Sequence, residues 1–137
     1  MQQLYLSVLL IFMASVTFSQ EVIYQDNKLE AHLSVQKKTD SINDVFYNYY
    51  VLNVKNTSSE EVKFIPVFKY KNNKGKVLTS ESRDEQPFFT LAPGEKIEGH
   101  IKNNRSLTLF KKFTIGNSGK RASETEIMDV TVTINYQ

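Results

Sequence analysis

The two histidines of this chain, His32 and His100, are the first place to look for metal or proton-transfer chemistry. A metal centre needs imidazoles that converge with thiolates or carboxylates, and the sequence holds no cysteine. Each histidine falls on the polar side of an alternating segment, far from the other in sequence, which predicts surface residues rather than ligands. Serines are plentiful, but no nucleophile elbow or comparable local motif surrounds one. Gly116-Asn117-Ser118-Gly119-Lys120-Arg121 shares glycines and a lysine with a phosphate-binding loop. Its glycines are too close together, no Ser or Thr follows the lysine, and no long helix follows to receive phosphate at its N-terminus. The residues predict no catalytic site, no metal site and no cofactor.

Binding and modification leave clearer marks. In the segment 45–55, Phe46, Tyr50, Leu52 and Val54 share one side, so Tyr47 and Tyr49 share the other. Adjacent outward tyrosines give large contact area at small entropy cost, which suits a partner or a sugar; a neighbouring segment such as Phe88-Phe89 could instead cover them. Asp40-Ser41-Ile42 resembles the short acid–hydroxyl–aliphatic acceptor used in O-glycosylation by some Gram-negative bacteria, which makes Ser41 a candidate acceptor. Asn56 and Asn104 head N-x-S/T sequons. Lys69, Lys71, Lys74 and Lys76 cluster around one turn, where such lysines attract anions or discourage edge-to-edge strand pairing.

The elements that position these residues read as strands. Val130, Val132, Ile134 and Tyr136 alternate with Thr131, Thr133 and Asn135, the pattern of a half-buried strand. Leu29, Ala31, Leu33 and Val35 alternate in the same way, and Val22-Ile23-Tyr24 supplies a short N-terminal edge strand. Turns are marked by 56–60, by Asn72-Asn73-Lys74-Gly75, and by Ala92-Pro93-Gly94-Glu95, whose Pro-Gly centre is the demand of a type II turn. Strands resume over 96–101 and 107–115, and residues 121–127 have room for one helical turn. Pro66 interrupts an apolar run; proline cannot donate to a ladder, so it marks either an edge or, as the flanking apolar residues suggest, a bulge.

About seven to nine short antiparallel strands at this spacing predict an all-β fold, an immunoglobulin-like β-sandwich. The strand end Tyr50-Val51-Leu52-Asn53-Val54-Lys55-Asn56-Thr57-Ser58, the hairpin from Tyr70 to Gly75 and the turn Leu91-Ala92-Pro93-Gly94-Glu95 carry a resemblance. Over residues 46–115 the chain resembles the FxLYD-type immunoglobulin-like domains of bacterial secreted proteins. It departs from them at Lys71 and Asn72, where an aspartate usually follows the tyrosine, and in its long final loop and strand. The resemblance implies a fold and brings no catalytic residues with it.

Ahead of this domain, Leu4, Leu6 and the run from Val8 to Met13 are apolar, and small or polar residues follow to Ser19. That is the layout of a secretory signal peptide over residues 1–19, too short for a spanning helix, with Gln20 as the expected new N-terminus. The whole charge complement, 17 basic and 15 acidic residues, lies beyond it. A net charge of +2 does not predict nucleic-acid binding. The sequence therefore predicts a secreted or periplasmic domain of residues 20–137 with no membrane span after cleavage. Its expected role is to bind a protein or glycan of the envelope or exterior. A structural subunit pairing through an edge strand, or a small hydrolase or carrier on a β-barrel, are the alternatives.

Overall fold

The computed structural model describes residues 20–80, 88–115, 120–121 and 126–137. The expected leader at 1–19, and most of the expected helical turn at 121–127, lie outside them. β-Branched and aromatic residues are frequent in the long strands β3, β4, β8 and β10, and the described residues form ten strands and no α-helix. These are β1 (Glu21–Gln25), β2 (Leu29–Asp40), β3 (Val45–Asn56), β4 (Val62–Asn72) and β5 (Val77–Thr79), then β6 (Phe89–Leu91), β7 (Lys96–Glu98), β8 (Thr108–Ile115), β9 (Lys120–Arg121) and β10 (Ile127–Tyr136). They build two antiparallel sheets curved into a half-barrel. The first runs β1-β2-β3-β8-β9 with β7 also on β3, and the second runs β10-β4-β5 with β6 also on β4.

The alternation expected from sequence decides which residues meet. Leu29, Ala31 and Leu33 of β2 and Leu52 and Val54 of β3 join Phe64, Phe68, Leu91 and Val132 of the second sheet in one buried cluster. Val130, Ile134 and Tyr136 pack against that cluster, as their shared side predicts.

Each sheet pairs one long strand with two short ones in line on the same side. β7 and β8 both pair with the same side of β3, β7 against residues 53–55 and β8 against 45–51. The chain leaves between them at Gly99, whose N–H donates to the Leu52 carbonyl at 3.0 Å. A Cβ there would lie 2.8 Å from the Leu107 carbonyl oxygen and 2.9 Å from that of Leu52, so only glycine fits. The strand expected over 96–101 thus stops at Glu98, and His100 sits in a loop rather than on a strand.

The same device accounts for Pro66. β6 covers residues 62–64 of β4 and β5 covers 69–71, on one side. On the other side Pro66 pairs in unbroken register with Ile134, so there is no bulge at the proline. The Phe68 N–H donates to Ser80 Oγ at 2.9 Å on the β5 side. Amides two apart point the same way, so the nitrogen of Pro66 faces the interval between β6 and β5. The bulge of this pair lies instead between Met128 and Thr131 of β10, where Asp129 has φ 52°.

Two turns fix one end of the molecule. Gly94 has φ 76° and the Glu95 N–H donates to the Ala92 carbonyl at 3.0 Å, the geometry expected of Pro93-Gly94. Asp26, between β1 and β2, accepts from the Lys28 and Leu29 amides at 2.8 Å, from Tyr24 Oη at 2.7 Å, and from Tyr136 Oη of β10. Burial alone would raise the Asp26 carboxyl; the hydrogen bonds from Tyr136, Leu29, Tyr24 and Lys28 outweigh it and hold it at about 2. Burial and the bond to Asp26 push Tyr136 upward.

Gly94→Val forces a β-branched residue into a left-handed conformation and should cost about 1–2 kcal/mol by denaturant titration. Glu95→Gln keeps an oxygen acceptor for the Ala92 N–H, which Glu95 Oε2 now holds at 2.8 Å, and should be silent. Equal effects would remove the type II assignment.

A second outcome follows from Asp26. Its folded carboxyl lies below the ordinary 3.8, so its contribution is present above that value and is lost as pH falls toward about 2. Asp26→Asn should lower stability near neutrality by roughly 1–2 kcal/mol. It should also flatten the decline of melting temperature between about pH 4 and about pH 2. An unchanged acid slope would show that other carboxylates carry it.

Candidate functional site

The face of the first sheet opposite the core carries the candidate site. Leu33 pairs with Leu52 and Ala31 with Val54 on the core side, so the intervening pairs lie outside. Three rows result: Ser34–Val51–Thr108, Gln36–Tyr49–Phe110 and Lys38–Tyr47–Phe113. Tyr47 and Tyr49 are where the alternation placed them. Phe88-Phe89 does not cover them, because Phe88 is 59% exposed and Phe89 packs on Phe64 at 5.8 Å between ring centroids.

Instead the tyrosines meet two phenylalanines of β8. Phe110 and Phe113 are three apart, and in a regular strand they would face opposite ways. A bulge breaks the β3–β8 register between Asn48 and Tyr49 and leaves Lys111 unpaired, which turns both rings to the outer face. Tyr49 meets Phe110 edge-on at 5.6 Å, Phe110 lies 6.4 Å from Phe113, and Phe113 lies 6.1 Å from Tyr47. The four rings form one continuous strip. Phe110 is 37% exposed, the other three are half-buried, and beyond them Val45 pairs with Ile115 toward the hairpin tip.

Rings on the core side of the same hairpin are treated differently. Lys37 Nζ sits 4.1 Å over the Phe46 ring, and Lys111 Nζ, displaced by the bulge, sits 5.1 Å over Tyr50. Tyr50 Oη also donates to the Ile127 carbonyl at 3.1 Å, and burial, with the charges of Glu126 and Asp129, pushes its phenol upward. Among the described residues no cation covers any of the four outer rings. At the other end of the strip a recess of about 200 Å³ is lined by Ser34, Gln36, Asn53 and Glu98.

The remaining sequence candidates do not gather here into a chemical centre. His32 lies on the outer face with its Nε2 against Glu30 Oε1, while His100 Nδ1 accepts from the Lys102 N–H at 3.1 Å in the loop. Among the described residues no three His, Cys, Asp or Glu side chains are placed to hold a metal ion. Lys69 and Lys71 edge an open recess that also contains the Asp129 carboxylate, so the site does not present a single sign of charge. Residues 116–119 of the glycine loop lie outside the described residues; Lys120 and Arg121 form β9 against β8. Asn56 is fully buried, and Asn104 Nδ2 donates to the Glu98 carbonyl at 2.9 Å.

No family model and no curated protein matches this sequence. Among solved structures, the structural-genomics target SoR45 is 12% identical with TM-score 0.39, covering 78% of this chain and 86% of its own. A Bordetella pertussis protein designated ApaA is 15% identical with TM-score 0.37, covering 76% and 90%. Likenesses this loose carry no argument about what the chain binds.

Leu52 is fully buried, and Leu52→Ala should cost about 2–5 kcal/mol. Tyr49 is half-buried against Phe110, so Tyr49→Ser should cost more than a solvated site would, about 1 kcal/mol. Denaturant titration of both variants checks the ordering. A loss at Tyr49 as large as at Leu52 would make that face a second core.

Proposed function

We propose that this chain is an exported, non-catalytic binding module. In this reading it is an immunoglobulin-like β-sandwich that engages a protein of the envelope or exterior through the strip Tyr47, Tyr49, Phe110 and Phe113. The supporting observation is the bulge at Lys111, which places four rings on one side where regular alternation would separate them. Aromatic residues ringed by polar groups are the composition of interface hot spots, and here Gln36, Lys38 and Ser34 border the rings. Assembly through an edge strand is the weaker reading. The free edge of β10 is broken by its own bulge and carries Asp129, devices that discourage strand addition.

A photoreactive phenylalanine analogue placed at Tyr47 or Phe110 in the native host should give the same protein adduct from both positions. The analogue at Lys71, exposed on the second sheet, should give none. Adducts to carbohydrate alone would replace the protein partner with a glycan. No adduct from either ring position would overturn the reading.

A further inference from the structure

The β2–β3 hairpin runs beyond the core, and its tip is the most exposed apolar point among the described residues. Ile42 is 93% exposed. Isoleucine is a poor turn residue and packs on nothing here, so the fold gives no reason for it. The turn that presents it is nonetheless well made. Asp40 Oδ1 accepts from the Ile42 and Asn43 amides at 3.2 Å, Asp40 Oδ2 accepts from Asn43 Nδ2 at 2.9 Å, and Asp44 closes the turn at φ 51°. Ser41 stands between them, exposed, and its hydroxyl makes no hydrogen bond among the described residues.

Three side chains in this sequence have the pattern of a glycan acceptor, and the structure separates them. Asn56 has no exposed surface, and its amide donates to the Glu60 and Leu91 carbonyls. The Asn104 amide is held by the Glu98 carbonyl. Only Ser41 offers a free nucleophilic atom, at the end of an arm that a large enzyme could approach without disturbing the core. Its two neighbours offer what a transferase needs for recognition, an ionised carboxylate held in place and an unencumbered aliphatic side chain.

We infer that Ser41 is an O-glycosylation site, modified outside the cytoplasm by an oligosaccharyl transferase that reads Asp40 and Ile42. The inference rests on the export reading given above. The Ser41 hydroxyl oxygen bonds to the anomeric carbon of an oligosaccharide carried on a polyprenyl diphosphate. The bond from that carbon to the phosphate oxygen breaks, the diphosphate carrier leaves with the electron pair, and the hydroxyl proton passes to a base of the transferase. A glycan there would also shield the exposed tip from other chains.

The test is mass spectrometry of the protein from the envelope fraction of its native host. Tryptic cleavage after Lys38 and Lys55 isolates Ser41. That peptide should carry a glycan mass that alkaline β-elimination releases, and the peptide holding Asn56 should not. Ser41→Ala should remove the mass, Ser41→Thr should retain it, and Ile42→Asp should abolish it with the melting temperature unchanged. The N-terminal peptide reads export separately. A processed N-terminus with a bare Ser41 overturns this inference alone. Retention of residues 1–19 overturns export and the inference together.

Discussion

One buried amide organises the lower end of this molecule. Asn56 closes β3 with no exposed surface, and its Nδ2 donates to the Glu60 carbonyl at 2.7 Å and the Leu91 carbonyl at 3.0 Å. Its Oδ1 accepts from both the amide and the hydroxyl of Ser58. Its backbone bonds the turn at Gly94 and Glu95, and the next residue, Thr57, donates to the Lys28 carbonyl. Three connections, β1–β2, β3–β4 and β6–β7, are thereby tied at one point, where a single unsatisfied buried partner would cost about 1–3 kcal/mol. Asp26 adds the last strand to the same knot through Tyr136. With that end fixed, the far end is free to project, and the hairpin tip and the aromatic strip both lie toward it.

The split strands follow from the same economy. β3 and β4 each run the length of their sheet, and on one side each is paired by two short strands in line rather than one long one. The interval on β4 accommodates Pro66, whose missing N–H would otherwise weaken a ladder. The interval on β3 releases residues 99–107 as a loop, at the cost of a position that accepts only glycine. Both intervals still lie over the buried cluster, to which Leu52 and Leu107 belong at the first and Phe68 at the second.

Much of this was legible in the residues. Alternation in β2, β3 and β10 gave the correct sides, and Pro93-Gly94 gave its turn, because both depend on local stereochemistry. What escaped depends on register. Phe110 and Phe113 look like opposite-facing residues until the unpaired Lys111 is known, so half of the candidate site had no sequence signal. Asn56 read only as a sequon at a polar turn because its role lies in carbonyls 4 and 35 residues away. His100 read as a strand residue because nothing local announces the departure at Gly99. The fit of Pro66 likewise depends on two strands on either side of it in space, and only the pairing reveals them.

The outer rings could serve the hairpin itself, and the two faces decide how far that goes. Beyond Leu33 and Tyr50 the hairpin lacks buried core beneath it, and cross-strand aromatic pairs contribute roughly 0.2–1 kcal/mol each. Phe46 and Tyr50 meet that need on the inner side, and each lies under a lysine. If stability alone had shaped the outer side, the same cover would suffice there, and Lys111 would be the residue to supply it. The bulge sends Lys111 to the inner face and turns a second phenylalanine outward in exchange. It thus spends a broken ladder step to gain exposed aromatic surface. In the binding reading proposed above, that aromatic surface is the part a partner would meet.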